Sequence, residues 1–259
     1  MRRFFTDNRE SNPRSLCLEG GEAAHAAKVI RLQPGEETIA INGCGGYYRC
    51  RVLNVSKSQV ELDVIENLSR PPLPWRITLC QAIPRGGLME DIVEKATELG
   101  VRRIIPLLTS RTEVKISSSR EGEAKREKWL VRAREACKQC GNAWMPEILP
   151  PLRFTQWLTQ RRAFYSKLGN NLDLAFTASL EPETRSIHEW FDDYSKRMER
   201  QASSVELWVG PEGDFTPEEY LLLRNEGVLP VTLGPLVLRC ATAAVSIIAI
   251  TLAECRQRN

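Results

Sequence analysis

From Trp75 onward, apolar stretches of six to nine residues alternate with segments of helical period, and no other feature limits the possible folds as strongly. The strand-like stretches are WRITLCQAI, RRIIPLL, NLDLAFTAS, VELWVG and VLPVTLG. Between and after them, LMEDIVEKATELG, EGEAKREKWLVRAREACKQCG, the stretch from Arg185 to Arg200, TPEEYLLLRNEG and ATAAVSIIAITLAECR have helical texture. Strands separated by helices cannot pair through tight turns. They assemble instead as a mostly parallel sheet with helices on both faces. Gly141, directly after the second helical segment, is placed to end it in the left-handed conformation.

Residues 1–70 have a different texture. ETIAIN, then Asn42-Gly43, then GYYRCRVLNV reads as a hairpin, with glycines at the turn and β-branched or aromatic residues beside it. SQVELDVIE alternates apolar and polar positions as a further strand, and one short helix is expected over GGEAAHAAKVIRL. This pattern suits a small β-barrel. Pro71, Pro72 and Pro74 then favour an extended linker. The expected organisation is a barrel over 1–70, a linker over 71–74 and an α/β domain over 75–259.

A chain of 259 residues, 42% hydrophobic and 27% charged, has the composition of a globular protein with a sizeable core. Its best apolar run, Ala241 to Ala253, falls short of the roughly 18–20 residues that span a bilayer. MRRFFTDNRE carries two arginines without an apolar stretch behind them, so no secretory leader is expected. These features predict a soluble cytoplasmic protein with no membrane partner. Of the eight cysteines, only Cys137 and Cys140 form a CxxC. A zinc ribbon needs a second pair, and a redox CxxC should open a helix rather than lie late in one. Reduced thiols and no bound metal are expected. The net charge of +3 conceals an uneven distribution. Residues 101–140 hold eleven Lys/Arg against five Glu, a net of +6, and residues 180–226 hold five against twelve acids, a net of −7. The first region could attract a polyanion, or could be an ordinary solvated helix face.

In open α/β sheets ligands bind beyond the carboxyl ends of the strands. Two such loops have unusual composition. VELWVG runs into Pro211-Glu212-Gly213-Asp214-Phe215, and Thr216-Pro217-Glu218-Glu219 then supplies an N-cap, a first-turn proline and first-turn acids. This loop is neither GxGxxG nor GxxxxGK[ST], and its acids would repel phosphate, so a neutral or cationic ligand suits it better. The second loop, TLG-Pro235-Leu236-Val237-Leu238-Arg239-Cys240, enters a helix that is apolar nearly all round. That helix must be buried in the core or at a subunit interface. Arg239 at its entrance needs a partner or a function.

GPEGDFTPEE followed by LGPLVLRCATA resembles the RsmE family of the SPOUT superfamily, whose corresponding elements read GPEGG-aromatic-S/T-x-x-E and LGPR-I/V-LR-x-ETA. MEDIVEKATELGVRRIIPL, WLVRAREACKQCGNAWMPEI and HAAKVIRLQPG resemble further motifs of that family, so the likeness runs through nearly the whole chain. The resemblance implies an N-terminal PUA-like β-barrel for RNA and a C-terminal α/β domain with a deep trefoil knot, within about residues 172–255. It implies a homodimer that uses S-adenosyl-L-methionine to methylate N3 of a uridine in 16S ribosomal RNA, within the small ribosomal subunit. By motif position, Gly210, Pro211, Glu212, Gly213, Leu233, Gly234 and Leu238 would hold the cofactor, together with Thr177 and Thr242. Arg239 would be catalytic. His25, Arg31, Arg132 and Arg134 would contact RNA, with Lys95 a further candidate for a phosphate.

The chain departs from the family pattern at five places. Ala241 stands for the LRxETA glutamate, Leu236 for the LGPR arginine, and Asp214 for the second glycine of GPEGG. Asn142 stands for the QCGR arginine and Leu88 for the lysine before ME. If Ala241 replaces the partner of Arg239, Glu212 or Asp214 could take that part. Three other readings stay open: a non-catalytic knotted RNA-binding dimer, a knotted methyltransferase with another RNA target, and a redox or metal protein using Cys137 and Cys140.

Overall fold

The structure is a computed structural model and describes residues 1–169, 171–181 and 184–257. The chain divides into two compact units: residues 1–72 with 133–145, and residues 73–132 with 146–259.

The first unit is built on five strands: β1 (Arg3–Phe5), β2 (Ser15–Glu19), β3 (Glu37–Ile41), β4 (Tyr47–Val55) and β5 (Gln59–Asn67). They lie in the order β1-β3-β4-β5-β2, antiparallel except for the parallel β1–β3 pair. The sheet curls so that its edge strands approach, with the Thr6 hydroxyl donating to the Cys17 carbonyl at 3.5 Å. Inside it pack Phe4, Leu16, Leu18, Tyr48, Val52 and Leu62, all nearly inaccessible to solvent. Alternation along β5 sends Val60 and Leu62 inward and leaves Glu61 and Asp63 outside. The expected β3–β4 hairpin is present. Its turn is held by the Asn42 side chain, whose Oδ1 accepts from Cys44 N at 2.9 Å and Gly46 N at 2.8 Å. The expected single helix is instead a short α-helix, α1 (Gly20–Ala24), that widens into a π-helix over His25–Ile30. Arg31 closes the π-helix at φ 56°, where the Leu32 amide reaches back to the Ala26 carbonyl.

The second unit carries seven short strands, all parallel: β6 (Arg76–Ala82), β7 (Arg103–Leu108), β8 (Glu147–Ile148), β9 (Leu152–Arg153), β10 (Leu174–Ala178), β11 (Ser204–Val209) and β12 (Leu229–Val231). Their order is β12-β10-β11-β6-β7-β8, and β9 also pairs with β7. The expected mostly parallel α/β sheet is therefore observed. Ile77, Leu79, Cys80 and Ala82 of β6 are fully buried on both faces of the sheet. Each such Leu or Ile contributes about 1.5–3 kcal/mol by leaving water.

Helices α2 (Leu88–Glu98), α5 (Ile187–Met198), α6 (Pro217–Asn225) and α7 (Cys240–Gln257) fall where helical texture was expected. So does α3 (Ser119–Cys140), with Gly141 at φ 78° after it. Helix α4 (Phe154–Lys167), β8, β9 and the edge strands β1 and β2 were not anticipated. The buried face of α4 comprises Phe154, Trp157, Leu158, Arg161 and Tyr165. Its arginine is 2% exposed and pairs with the fully buried Glu206 of β11 at 2.6 Å. Glu206 also accepts from the indoles of Trp157 and Trp208 and from the Tyr165 hydroxyl, at 2.9–3.2 Å.

Candidate functional site

The sheet order changes direction at β6. From β6 the chain steps outward to β7 and β8, then returns to build β10, β11 and β12 on the opposite side. A crevice forms at such a switch point, at the carboxyl ends of the strands on either side. A pocket of about 810 Å³ lies there, lined by the segments that leave β6, β10, β11 and β12. Arg85 and Gly86 follow β6, Ser179 and Leu180 follow β10, and Gly210, Pro211, Glu212 and Asp214 follow β11. Leu233, Gly234, Leu236, Val237, Leu238 and Arg239 follow β12. The loops entered at Gly210 and Gly234 thus converge on one pocket.

The β11 loop is held from several sides. Thr216 and Glu219 form a capping box at the start of α6, with the Thr216 hydroxyl accepting from Glu219 N and the Glu219 carboxylate accepting from Thr216 N. Glu219, 5% exposed, also accepts from Ser110 N at 2.8 Å. The Arg111 guanidinium donates to the Gly213 carbonyl at 2.6 Å and the Phe215 carbonyl at 3.2 Å. Asp214 takes φ 60° and accepts from the Tyr220 hydroxyl and from Phe215 N. Burial first, and then the Asp214 charge, push the Tyr220 phenol well above its ordinary pKa, so it stays a donor at neutral pH. Gly210 is required by space: a Cβ there would lie 2.9 Å from Asp214 Oδ1 and 3.1 Å from the backbone nitrogen of Phe215.

A buried thiol ties three of the converging segments together. Cys240, the first residue of α7, donates to the Gly210 carbonyl at 3.2 Å and accepts from Gln81 Nε2 of β6 at 3.1 Å. Burial, and the nearby Glu212 carboxylate, push this thiol up to about 11 against the lowering effect of the Gln81 bond. It is a structural donor and not a nucleophile.

Of the residues expected at a cofactor site, Gly210, Pro211, Glu212, Leu233, Gly234 and Leu238 line the pocket, and so does Arg239. Gly213, Thr177 and Thr242 do not line it. Gly213 packs against the stem of Arg111, and Thr177 is fully buried with its hydroxyl on the Ala178 carbonyl at 3.4 Å. Thr242 is exposed on the first turn of α7. Arg239 is exposed and makes no ion pair among the described residues, so neither Glu212 nor Asp214 stands in for the glutamate that Ala241 replaces. Ser179, Leu180, Arg85 and Cys240 were missed. The first three carry no local signal in the sequence beyond following a strand.

The basic residues expected to meet RNA differ in their surroundings. Arg31 is exposed at the end of the π-helix, and His25 is half-buried with its ring 6.3 Å from that of Phe4. Arg132 is paired to Glu94 at 2.9 Å and Asp91 at 3.6 Å. Arg134 lies over the Phe5 ring and reaches Asp7 at 3.6 Å. Lys95 bonds Glu94 and Glu98. Cys137 is buried and pushed up to about 12 by burial, with a smaller contribution from Cys140. Among the described residues, no group of three His, Cys, Asp or Glu side chains could hold a metal ion. No helix among them is long and apolar enough to cross a membrane.

The pocket's size falls in the range of nucleotide-sized ligands. Its two carboxylates, Glu212 and Asp214, have no cationic partner among the described residues, which fits a ligand bearing positive charge.

The RNA methyltransferase domain family matches residues 71–252, and the RNA methyltransferase PUA domain family matches residues 18–65. An RNA methyltransferase domain preceded by a PUA domain is the class that this fold and pocket define. The chain is 31% identical over 253 residues to the ribosomal RNA small subunit methyltransferase E of Aquifex aeolicus, covering 97% of this chain and 99% of that protein. It is also 31% identical over 230 residues to the protein of the same name from Synechocystis, covering 88% and 70%. A solved structure of a methyltransferase from Legionella pneumophila with bound cofactor SAM is similar at TM-score 0.82 and 30% identity, over 97% of this chain and 96% of that one. The chain belongs to the ribosomal RNA small subunit methyltransferase E family.

Proposed function

We propose that this protein methylates N3 of a uridine in 16S ribosomal RNA, with S-adenosyl-L-methionine held in the pocket at the ends of β6, β10, β11 and β12. The observation that carries this reading is the convergence of the Gly210 and Gly234 loops on a single pocket whose two carboxylates have no cationic partner among the described residues. The cofactor, when bound, supplies a methyl group carried on a sulfonium. Leu233, Gly234 and Leu238 line the same pocket, and their backbone would hold its adenine and methionine parts.

Uracil N3–H is a weak acid, so the chain must assist loss of that proton and align the nitrogen with the methyl carbon. Arg239, exposed on the pocket and without an ion pair among the described residues, stabilises the imide anion as it develops or holds the base in line. N3 lies on the pairing edge, so the uridine enters unpaired. The PUA domain, with Arg31 exposed on it, takes hold of the surrounding RNA.

Two further features belong to this reading. A threaded chain path is one; separately, the segment before α5 runs beside β12, where Arg185 bridges Val231 and its carbonyl accepts from Thr232 N. The chain then passes 232–239 to reach α7, which packs against β6 and β11. A homodimer is supported by the exposure of Leu236 (73%), Val237 (78%) and Ile250 (38%). A protein with this activity would work on ribosomal subunits in the cytoplasm.

Mass mapping of 16S ribosomal RNA from a deletion strain, with and without the gene returned, tests the proposal. Restoration of one N3-methyluridine is expected. Failure to restore it, with folded protein present, would favour the binding-only reading.

A further inference from the structure

Asp214 occupies the place of the second glycine in the GPEGG pattern and holds φ 60°. Glycine takes that conformation at less cost, so the turn alone does not call for an aspartate. The residue lines the pocket, and its carboxylate accepts from two neutral donors, the Tyr220 hydroxyl at 2.9 Å and Phe215 N at 2.8 Å. Neither donor cancels its charge, and no ion pair to Asp214 occurs among the described residues. Of the two arginines on the same pocket, Arg85 directs its guanidinium to Glu113 at 3.2 Å and Arg239 is exposed to solvent. Leu180, Val209, Leu233, Leu238 and Ala243 make much of the remaining wall apolar, which screens a fixed charge weakly.

We propose that Asp214 is the residue through which the pocket tells the charged methyl donor from the neutral thioether left after transfer. The inference rests on the reading that the cofactor occupies this pocket. Before transfer the sulfonium carries a positive charge that a nearby fixed carboxylate favours. After transfer the same sulfur is uncharged, that attraction is gone, and the product leaves more readily. Tyr220 and Phe215 N fix the carboxylate, so it cannot turn away to water when the ligand changes.

The test is calorimetric titration of the full-length protein and of Asp214→Asn with three ligands: S-adenosylmethionine, S-adenosylhomocysteine, and sinefungin, in which a protonated amine replaces the sulfonium. All three share the adenosine and amino-acid parts, so those contributions cancel. Asparagine keeps the shape, tolerates positive φ and still accepts from Tyr220. The substitution should weaken the two cationic ligands about tenfold and the thioether less than about twofold. Equal weakening of all three, or no weakening, overturns the inference while leaving the proposed function standing. Failure of the unaltered protein to bind any of them overturns the proposed function and this inference together.

Discussion

The Tyr220 hydroxyl lies 2.9 Å from Oδ1 and 3.0 Å from Oδ2 of Asp214, and 3.3 Å from the Ala178 carbonyl. One side chain of α6 therefore joins the end of β10 to the loop leaving β11, the two segments that form one wall of the pocket. A hydroxyl has a single proton, and the carboxylate is the stronger acceptor.

Tyr220→Phe removes that proton and leaves the partly buried Asp214 carboxylate with the Phe215 amide as its one donor among the described residues. A loss of about 1–3 kcal/mol in urea denaturation is expected, the cost of an under-satisfied buried acceptor. A loss below about 0.3 kcal/mol would show that water replaces the phenol freely.

Arg161→Met strands Glu206 in the core without the one cation that pairs with it among the described residues. The charge has nowhere to go, because Trp157, Tyr165 and Trp208 already close around it. A loss of about 3–5 kcal/mol is expected by denaturation. Added Glu206→Gln should recover part of it by removing the unpaired charge, as a double-mutant cycle would measure.

This same pair explains what the sequence left unread. The apolar spacing of Phe154, Trp157, Leu158 and Tyr165 marks one helix face, but Arg161 sits in the middle of it. A buried arginine looks like a break in the stripe until its partner, 45 residues away in sequence, is seen. Strands β8 and β9, two residues each, are too short for any period to register. The β6, β10 and β11 strands were legible because both faces of the sheet are covered there and their cores read as apolar runs, and the edge strand β12 was legible from its short apolar run alone. The Gly210 and Gly234 loops were legible as candidates from their composition. Ser179 and Leu180 join the pocket only because β10 lies beside β11, a pairing that no local signal records.

Asp173 gives the protein a component of acid sensitivity. Burial alone would raise its carboxyl, but hydrogen bonds from Arg200, Ser203 N, Ser204 N and Tyr194 outweigh it and hold the group below the usual range. A depressed folded-state pKa contributes stability that is present above the unfolded value of about 3.9 and is lost as pH falls through the folded value. Asp173→Asn should therefore cost about 2 kcal/mol at pH 7, and the gap between the two proteins should narrow as pH falls below the unfolded value of about 3.9 and through the depressed folded value. Parallel stability curves from pH 7 to 2 would contradict this.

Arg239→Ala should leave the melting temperature unchanged within about 1 °C, because the side chain is exposed and holds no ion pair among the described residues. The rate of methyl transfer to small-subunit RNA should fall about 100-fold or more, with cofactor affinity altered less than about threefold. Equal losses in rate and cofactor affinity would place Arg239 in cofactor binding instead.

The central claim is that the loops at Gly210 and Gly234 make one cofactor pocket. Titration of S-adenosylmethionine into the unaltered protein and into Gly210→Ala tests it most directly. A Cβ at 210 meets Asp214 Oδ1 at 2.9 Å and the Phe215 backbone at 3.1 Å, so the loop must shift. One site per chain in the unaltered protein, and at least about tenfold weaker binding in a folded Gly210→Ala, is the predicted result. Equal affinity in both proteins, or no binding in either, would contradict the account.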